Sequence, residues 1–203
     1  MNAARENASR LLDDAILLLE NKRYASALSL AILSIEESGK LSVFRDMALS
    51  KSDEDLKSAW KSYRSHQKKN AAWIFIELYK KGARKLDQFQ ELHDKNSDHP
   101  AVLDQLKQLG FYSDCLGKGH WSRPSEVIDS EIAESIVTVA KVLLSKKQHT
   151  AREIELWVTI VGPVYKSDML SMKKAVKTWF EKMVSEGLLE EKQIKFSDFL
   201  GVE

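Results

Sequence analysis

Cysteine is almost missing from this chain of 203 residues: Cys115 stands alone. One thiol forms no intramolecular disulfide and supplies no thiolate metal cluster. That fits a reducing compartment, and the cytoplasm is the expected location. Proline and glycine are scarce, at three and eight residues. Long alternating β-branched runs are absent too, so the chain leans towards helix. No apolar run approaches the roughly 18 residues that a membrane span needs, and no membrane partner is expected. The N-terminus carries Arg5 and Arg10 but no apolar stretch, so no signal peptide is expected. Neither sign of charge dominates. Thirty-one lysines and arginines face 30 acids, a net charge of +1, too little for a whole-molecule pull on nucleic acid or anionic lipid. A phosphate loop, a dinucleotide fingerprint, Gly-x-Ser-x-Gly and His-Glu-x-x-His are all absent. No cofactor is expected.

What remains is a helical protein with a core. Hydrophobic residues make up 43% of the chain, enough to bury a core at this size. Ala8, Leu11, Leu12, Ala15, Leu18 and Leu19 recur at spacings of three and four, predicting a helix over about 3–21. The short link Asn21-Lys22-Arg23 predicts an antiparallel hairpin with the next helix. That second helix, Tyr24 to Phe44, is apolar round most of its wheel, so neighbours should wrap it. Its polar stripe is narrow: Ser26, Ser29, Glu36, Glu37 and Lys40.

Ser52 before Asp53, Glu54 and Asp55 is a helix start, with acids at the positive end of the dipole. The helical pattern continues through Trp60, Tyr63, Trp73, Ile76 and Leu78 towards His93, with breaks open near His66, Gln67 or Gly82. Asp98-His99-Pro100 opens a helix to about Phe111. A glycine-rich loop with His120 and Trp121 follows, Trp121 being expected to anchor it. A further helix runs from Asp129 or Ser130 to about Ser145. Lys146 to His149 is the expected boundary, dividing a bundle (1–147) from a helical extension (148–203). Thr150 and Glu153 cap the next helix, Gly162-Pro163 ends it, and a last one runs from Asp168 to Gly187. Ile194, Phe196, Phe199 and Leu200 predict a tail that packs.

Glu36 and Glu37 lie four and three residues before Lys40, spacings that make helix-surface ion pairs worth a few tenths of a kcal/mol. On so apolar a helix, the same run also reads as the edge of a polar site. Tyr63, His66, Lys69 and Asn70 share one face if the segment is helical, with Arg64 beside them. Such a grouping suits RNA cleavage without metal. An imidazole takes the ribose 2′-hydroxyl proton, while Lys69 or Arg64 steadies charge on the pentacovalent phosphate. The other reading is a solvated basic face with a lone histidine. His93, Asp94, Asp98 and His99 lie in a turn, and no metal site is expected there. Cys115 reads as a small buried thiol. Lys173, Lys174 and Lys177, followed by Val184 to Glu191, are compatible with a winged-helix DNA reader.

The run from Tyr24 to Ile32, leading into Ile35-Glu36-Glu37-Ser38-Gly39-Lys40, resembles the signature of AbiV-type abortive infection proteins. Asn7-Ala8, Leu11 to Ala15, His66-x-x-Lys69 and Gly110-Phe111-Tyr112-Ser113-Asp114 fit as well. The resemblance implies an all-α, HEPN-like antiparallel helical bundle and a bacterial anti-phage effector that halts host growth or translation. It also implies a homodimer with a ribonuclease site at its interface, and RNA and a phage-encoded trigger or inhibitor protein as partners. Members of the superfamily carry Arg-x(4–6)-His. Here Lys61 stands at that distance from His66, and Arg64 is only two residues before it. In this reading His66 is the base, and Lys69 with Arg64 the phosphate stabiliser. Glu36, Glu37 and Lys40 support them, and Tyr63, Asn70, Tyr112 and Asp114 line the cleft. The alternative is a non-enzymatic defence module that binds a phage or host protein through the same cleft.

Overall fold

The computed structural model describes residues 1–94, 97–115, 119, 121–190 and 196–202. Helix α1 spans Asn2–Glu20 and α2 spans Tyr24–Ala48. Lys22 between them takes a left-handed φ of 57°. This lets the Arg23 and Lys22 N–H groups donate to Leu18 and Leu19 at 2.8 and 2.9 Å. The pair closes the open carbonyl end of α1 and turns the chain into the expected hairpin.

α2 is the axis of the molecule. Ala27, Leu28, Ala31, Ile32 and Ile35 are buried among residues of α1 and of α8 (Ser130–Leu143), such as Leu12, Ala15, Ala133, Ile136 and Ala140. Even its serines turn inward: the buried Ser34 hydroxyl donates to the Ala8 carbonyl at 2.7 Å. Such a helix has little solvated face, which is why its polar stripe must find partners inside the protein.

The long pattern after Ser52 divides into pieces. α3 is Asp53–Arg64, with the Ser52 hydroxyl accepting from the Asp55 N–H. Ser65 leaves helical geometry and caps α4, His66–Asn70. A 3-10 turn over Ala71–Ile74, α5 over Phe75–Lys80 and a second 3-10 segment over Leu86–His93 follow. Tyr63 and His66 are therefore not on one continuous helix face. α6 runs His99–Phe111 with Pro100 in its first turn. The loop after it holds a small antiparallel pair, β1 (Asp114–Cys115) with β2 (Trp121–Ser122). A single turn, α7 (Pro124–Val127), leads to α8, whose start is capped by Asp129.

Beyond the bundle, α9 (Ala151–Ile160), α10 (Met169–Ser185) and α11 (Phe196–Leu200) surround a second apolar cluster. Leu156, Val161, Trp179 and Met183 bury against Leu49 from the end of α2. Thr150 caps α9, Asp168 caps α10, and Gly187 takes a φ of +68° after it. The tail packs as expected. Phe196 stacks on Phe180 at 4.3 Å, and Leu200 is buried. The described architecture is all-α apart from the two-residue strands.

Two expectations change. Cys115 is exposed rather than buried, because the strand that carries it lies at the surface. Trp121 is 67% exposed rather than buried as a loop anchor would be. His120, Ile194 and the His93 side chain lie outside the described residues.

Candidate functional site

Where α4 and α6 meet α2, the polar stripe becomes a network. Gly39 makes this possible. A Cβ on Gly39 would collide with the carbonyl oxygen of Lys69, so only glycine lets α4 approach so closely. Gly110, one turn beyond Lys107, does the same for α6, where a Cβ would meet the Ser29 hydroxyl.

Glu36 is the hub. Its side chain is 5% exposed, and it accepts from Lys107 Nζ at 2.6 Å and from His66 Nδ1 at 2.7 Å. Lys69 Nζ lies 4.0 Å from it. Lys107 in turn reaches Asp104 at 2.8 Å. A buried carboxylate is tolerable here because two cations and an imidazole surround it. Burial pulls the Lys107 ammonium down, but hydrogen bonds to Asp104 and Glu36 more than offset this and leave its pKa raised. Lys69 shows the opposite outcome. Burial lowers its pKa, and attraction to Glu36 only partly restores it.

The geometry sets the tautomer of His66. An ionised carboxylate accepts only, so Nδ1 carries the proton that it donates to Glu36. In the neutral ring Nε2 is then the nitrogen with the lone pair. The His66 side chain is 54% exposed, so the ring as a whole is open to solvent. Such an imidazole, oriented through one nitrogen and open to solvent, is equipped for proton abstraction.

Glu37 and Lys40 form the local pair that their spacing predicts, at 2.5 Å. Lys40 Nζ also lies 5.2 Å from the centre of the Tyr63 ring. Burial lowers its pKa, yet the Glu37 hydrogen bond prevails and the net shift is upward. Tyr63 packs on Phe44 and Trp60 at 5.7 and 5.4 Å. Arg64 and Lys68 are exposed beside His66, and so are Lys61 and Lys57, one and two turns back along α3. None of these four has an ion pair among the described residues.

Several expected site residues stand elsewhere. Lys69 is 8% exposed in its side chain and lies 4.0 Å from Glu36. Asn70 is fully buried, with its amide unpartnered among the described residues. Tyr112 and Asp114 lie past the end of α6 at which Gly110 meets Ala25 and Ser29, on the α2 turns far from Glu36. Tyr112 is 61% exposed, and the Asp114 carboxylate accepts from the Cys115 N–H. Lys107 and Asp104 complete the network instead. No local spacing could have found them, since Lys107 is 71 residues from Glu36.

Glu36, His66 and Asp104 bring ligand atoms within 4.8 Å of one another, a set that suits a divalent cation. The Lys107 ammonium stands between the two carboxylates and already supplies the positive charge there. His99 is a structural tie: Nδ1 meets the Ser97 hydroxyl at 2.7 Å and Nε2 the Ala71 carbonyl at 3.0 Å. The winged-helix features are also occupied. Lys173 is buried against Asp87 at 2.6 Å, and Lys177 faces Glu181. No described helix is long and apolar enough to cross a membrane.

No curated protein and no solved structure matches the chain. A family description does: HEPN_AbiV, the AbiV family, matches residues 1–145. That span takes in α1 to α8 and every residue of the Glu36 network, and by it the chain belongs to the AbiV family of HEPN-like proteins.

Proposed function

We propose that this protein is an abortive-infection effector that cuts RNA without a metal, using His66 as its base. The observation that carries the reading is the 2.7 Å bond from His66 Nδ1 to the buried Glu36, on a ring that is 54% exposed. Nε2 takes the proton of a ribose 2′-hydroxyl. The 2′ oxygen attacks the adjacent phosphorus and the 5′ oxygen departs. The proton held by the imidazolium goes to that leaving oxygen. The products are a 2′,3′-cyclic phosphate and a 5′-hydroxyl end. Arg64 and Lys68, exposed and without an ion pair among the described residues, would stabilise the phosphorane charge. Lys57 and Lys61 extend this basic track along α3, and Trp60, 44% exposed, offers a surface for base stacking. Lys69, which is buried, balances Glu36 rather than touching phosphate. Family membership supports the defence role and the expectation of a homodimer, which would set two such faces together.

The test is to induce the wild-type protein and His66→Ala in cells challenged with phage, and to sequence RNA ends. Loss of both protection and new 5′-hydroxyl ends in a folded His66→Ala protein supports cleavage. Full protection by that variant would sink it in favour of action by binding alone.

A further inference from the structure

Glu36, His66 and Asp104 come from α2, α4 and α6 and bring ligand atoms within 4.8 Å of one another. An imidazole with two carboxylates is a donor set that zinc and similar divalent ions take up. In this protein an ammonium holds that space. Lys107 Nζ lies 2.6 Å from Glu36 and 2.8 Å from Asp104, and its side chain is 7% exposed. It bridges both acids with one positive charge. Lys69 adds a second charge 4.0 Å from Glu36. A divalent ion entering here would meet both, and like charges brought together oppose binding strongly.

For His66 an ammonium and a metal ion are not equivalent. A neutral imidazole has one protonated nitrogen and one nitrogen with a lone pair. With Lys107 in place, Nδ1 keeps its proton and donates it to Glu36 at 2.7 Å. The lone pair is then on Nε2, where a base needs it. A metal ion held by Glu36 and Asp104 would take the lone pair of Nδ1 instead. The proton of the neutral ring would then sit on Nε2, and no lone pair would be left for a ribose hydroxyl. A divalent ion at this place therefore inhibits.

We propose that Lys107 is a built-in substitute for a metal ion, keeping divalent cations off His66 and so preserving its base form. Lys107 is a positioning residue: it touches the two acids and acts on His66 through Glu36. The consequence for cleavage rests on the proposed role of His66. The exclusion of ions does not, and it is read by binding alone.

The experiment is calorimetric titration of the full-length protein with zinc chloride, paired with ¹⁵N NMR of the His66 ring. Wild type, Lys107→Ala and Lys107→Ala combined with His66→Ala are compared. Lys107→Ala should bind zinc at least about tenfold more tightly than wild type, because a like charge has left the site. The double variant should lose that gain. Zinc should leave the wild-type ring unchanged, and in Lys107→Ala it should occupy Nδ1 and move the proton to Nε2. Lys107→Gln, which keeps a hydrogen-bonding side chain, carries the same expectation if the alanine variant does not fold. Equal zinc affinity in wild type and the folded variant overturns the proposal. So does a gain that survives the loss of His66, or zinc on Nδ1 of the wild-type ring. A gain at His66 in a protein that cuts no RNA upholds ion exclusion and removes the cleavage reading instead.

Discussion

At Glu36 one carboxylate meets three nitrogens, two from α4 and one from α6, and each has a separate consequence. His66 is oriented by it, Lys107 is neutralised by it, and Lys69 is held near it. Glu36→Gln keeps the shape and removes the charge, leaving Lys107 buried with only Asp104. The expected loss is roughly 3–5 kcal/mol of unfolding free energy, by the rule for breaking a buried pair, read by urea unfolding at pH 7. Protection should fall with it, because the amide no longer fixes the His66 proton on Nδ1. Lys107 gives a pH test of the same hub. Its folded pKa lies above the ordinary 10.5, so its stabilisation is complete below that value and is lost as pH rises through the raised one. The stability gap between wild type and Lys107→Met should therefore be widest at neutral pH and narrow above pH 10.5. The sequence showed part of this. The Glu37–Lys40 pair follows from spacing alone. The partners of Glu36 do not, because tertiary packing chose between two adjacent acids that look alike on a helix wheel.

Among the elements, α4 is the one whose position matters most for the site. It has five residues, far too few to be helical alone. Its place is set by the Ser65 cap and by the backbone approach of Lys69 to Gly39. Gly39→Ala should therefore push α4 away from α2, costing about 1–3 kcal/mol as an overpacked contact. It should also lower protection, since His66 moves with the helix. Gly110→Ala is the control. There the nearest atom belongs to the Ser29 side chain, which rotates more easily than a backbone carbonyl moves, so the smaller loss in thermal unfolding is expected. The hairpin α1–α2, α6, α8 and the capped helices of the extension were legible because each carries its own start signal and a 3.6-residue apolar rhythm. The segment from 53 to 93 was legible only in part: its start at Ser52 and the candidate breaks near His66 and Gly82 could be read, but not which of them the chain uses. Its apolar rhythm runs on past Ser65, while the breaks follow from the need to bring His66, Trp73 and Phe89 to three different neighbours.

For the whole molecule, the question is how firmly the extension belongs to the bundle. The expected boundary near residue 147 lies in a link outside regular helix, yet several ties cross it. Asn2 donates to the His149 carbonyl and accepts from its N–H, at 2.9 and 2.8 Å. Arg45 meets Glu153, Lys173 meets Asp87, and Phe89 packs on Phe199 at 5.9 Å. Leu49, 4% exposed, belongs to the extension's own apolar cluster rather than to the bundle core. A chain ending at 147 would thus bare Leu49 and one side of Phe89, and would leave Arg45 and Asp87 without their partners. Two exposed apolar faces beside stranded charges favour association over a soluble monomer. The truncated protein should melt at lower temperature than the full chain and elute as aggregate in size-exclusion chromatography. Elution as a monomer with an unchanged melting temperature would instead make the extension a separate appendage. Glu153→Gln separates docking from truncation. It weakens the Arg45 and His149 contacts together without baring either core. It should cost about 1–3 kcal/mol, as expected when charged hydrogen bonds are lost, while leaving the protein monodisperse.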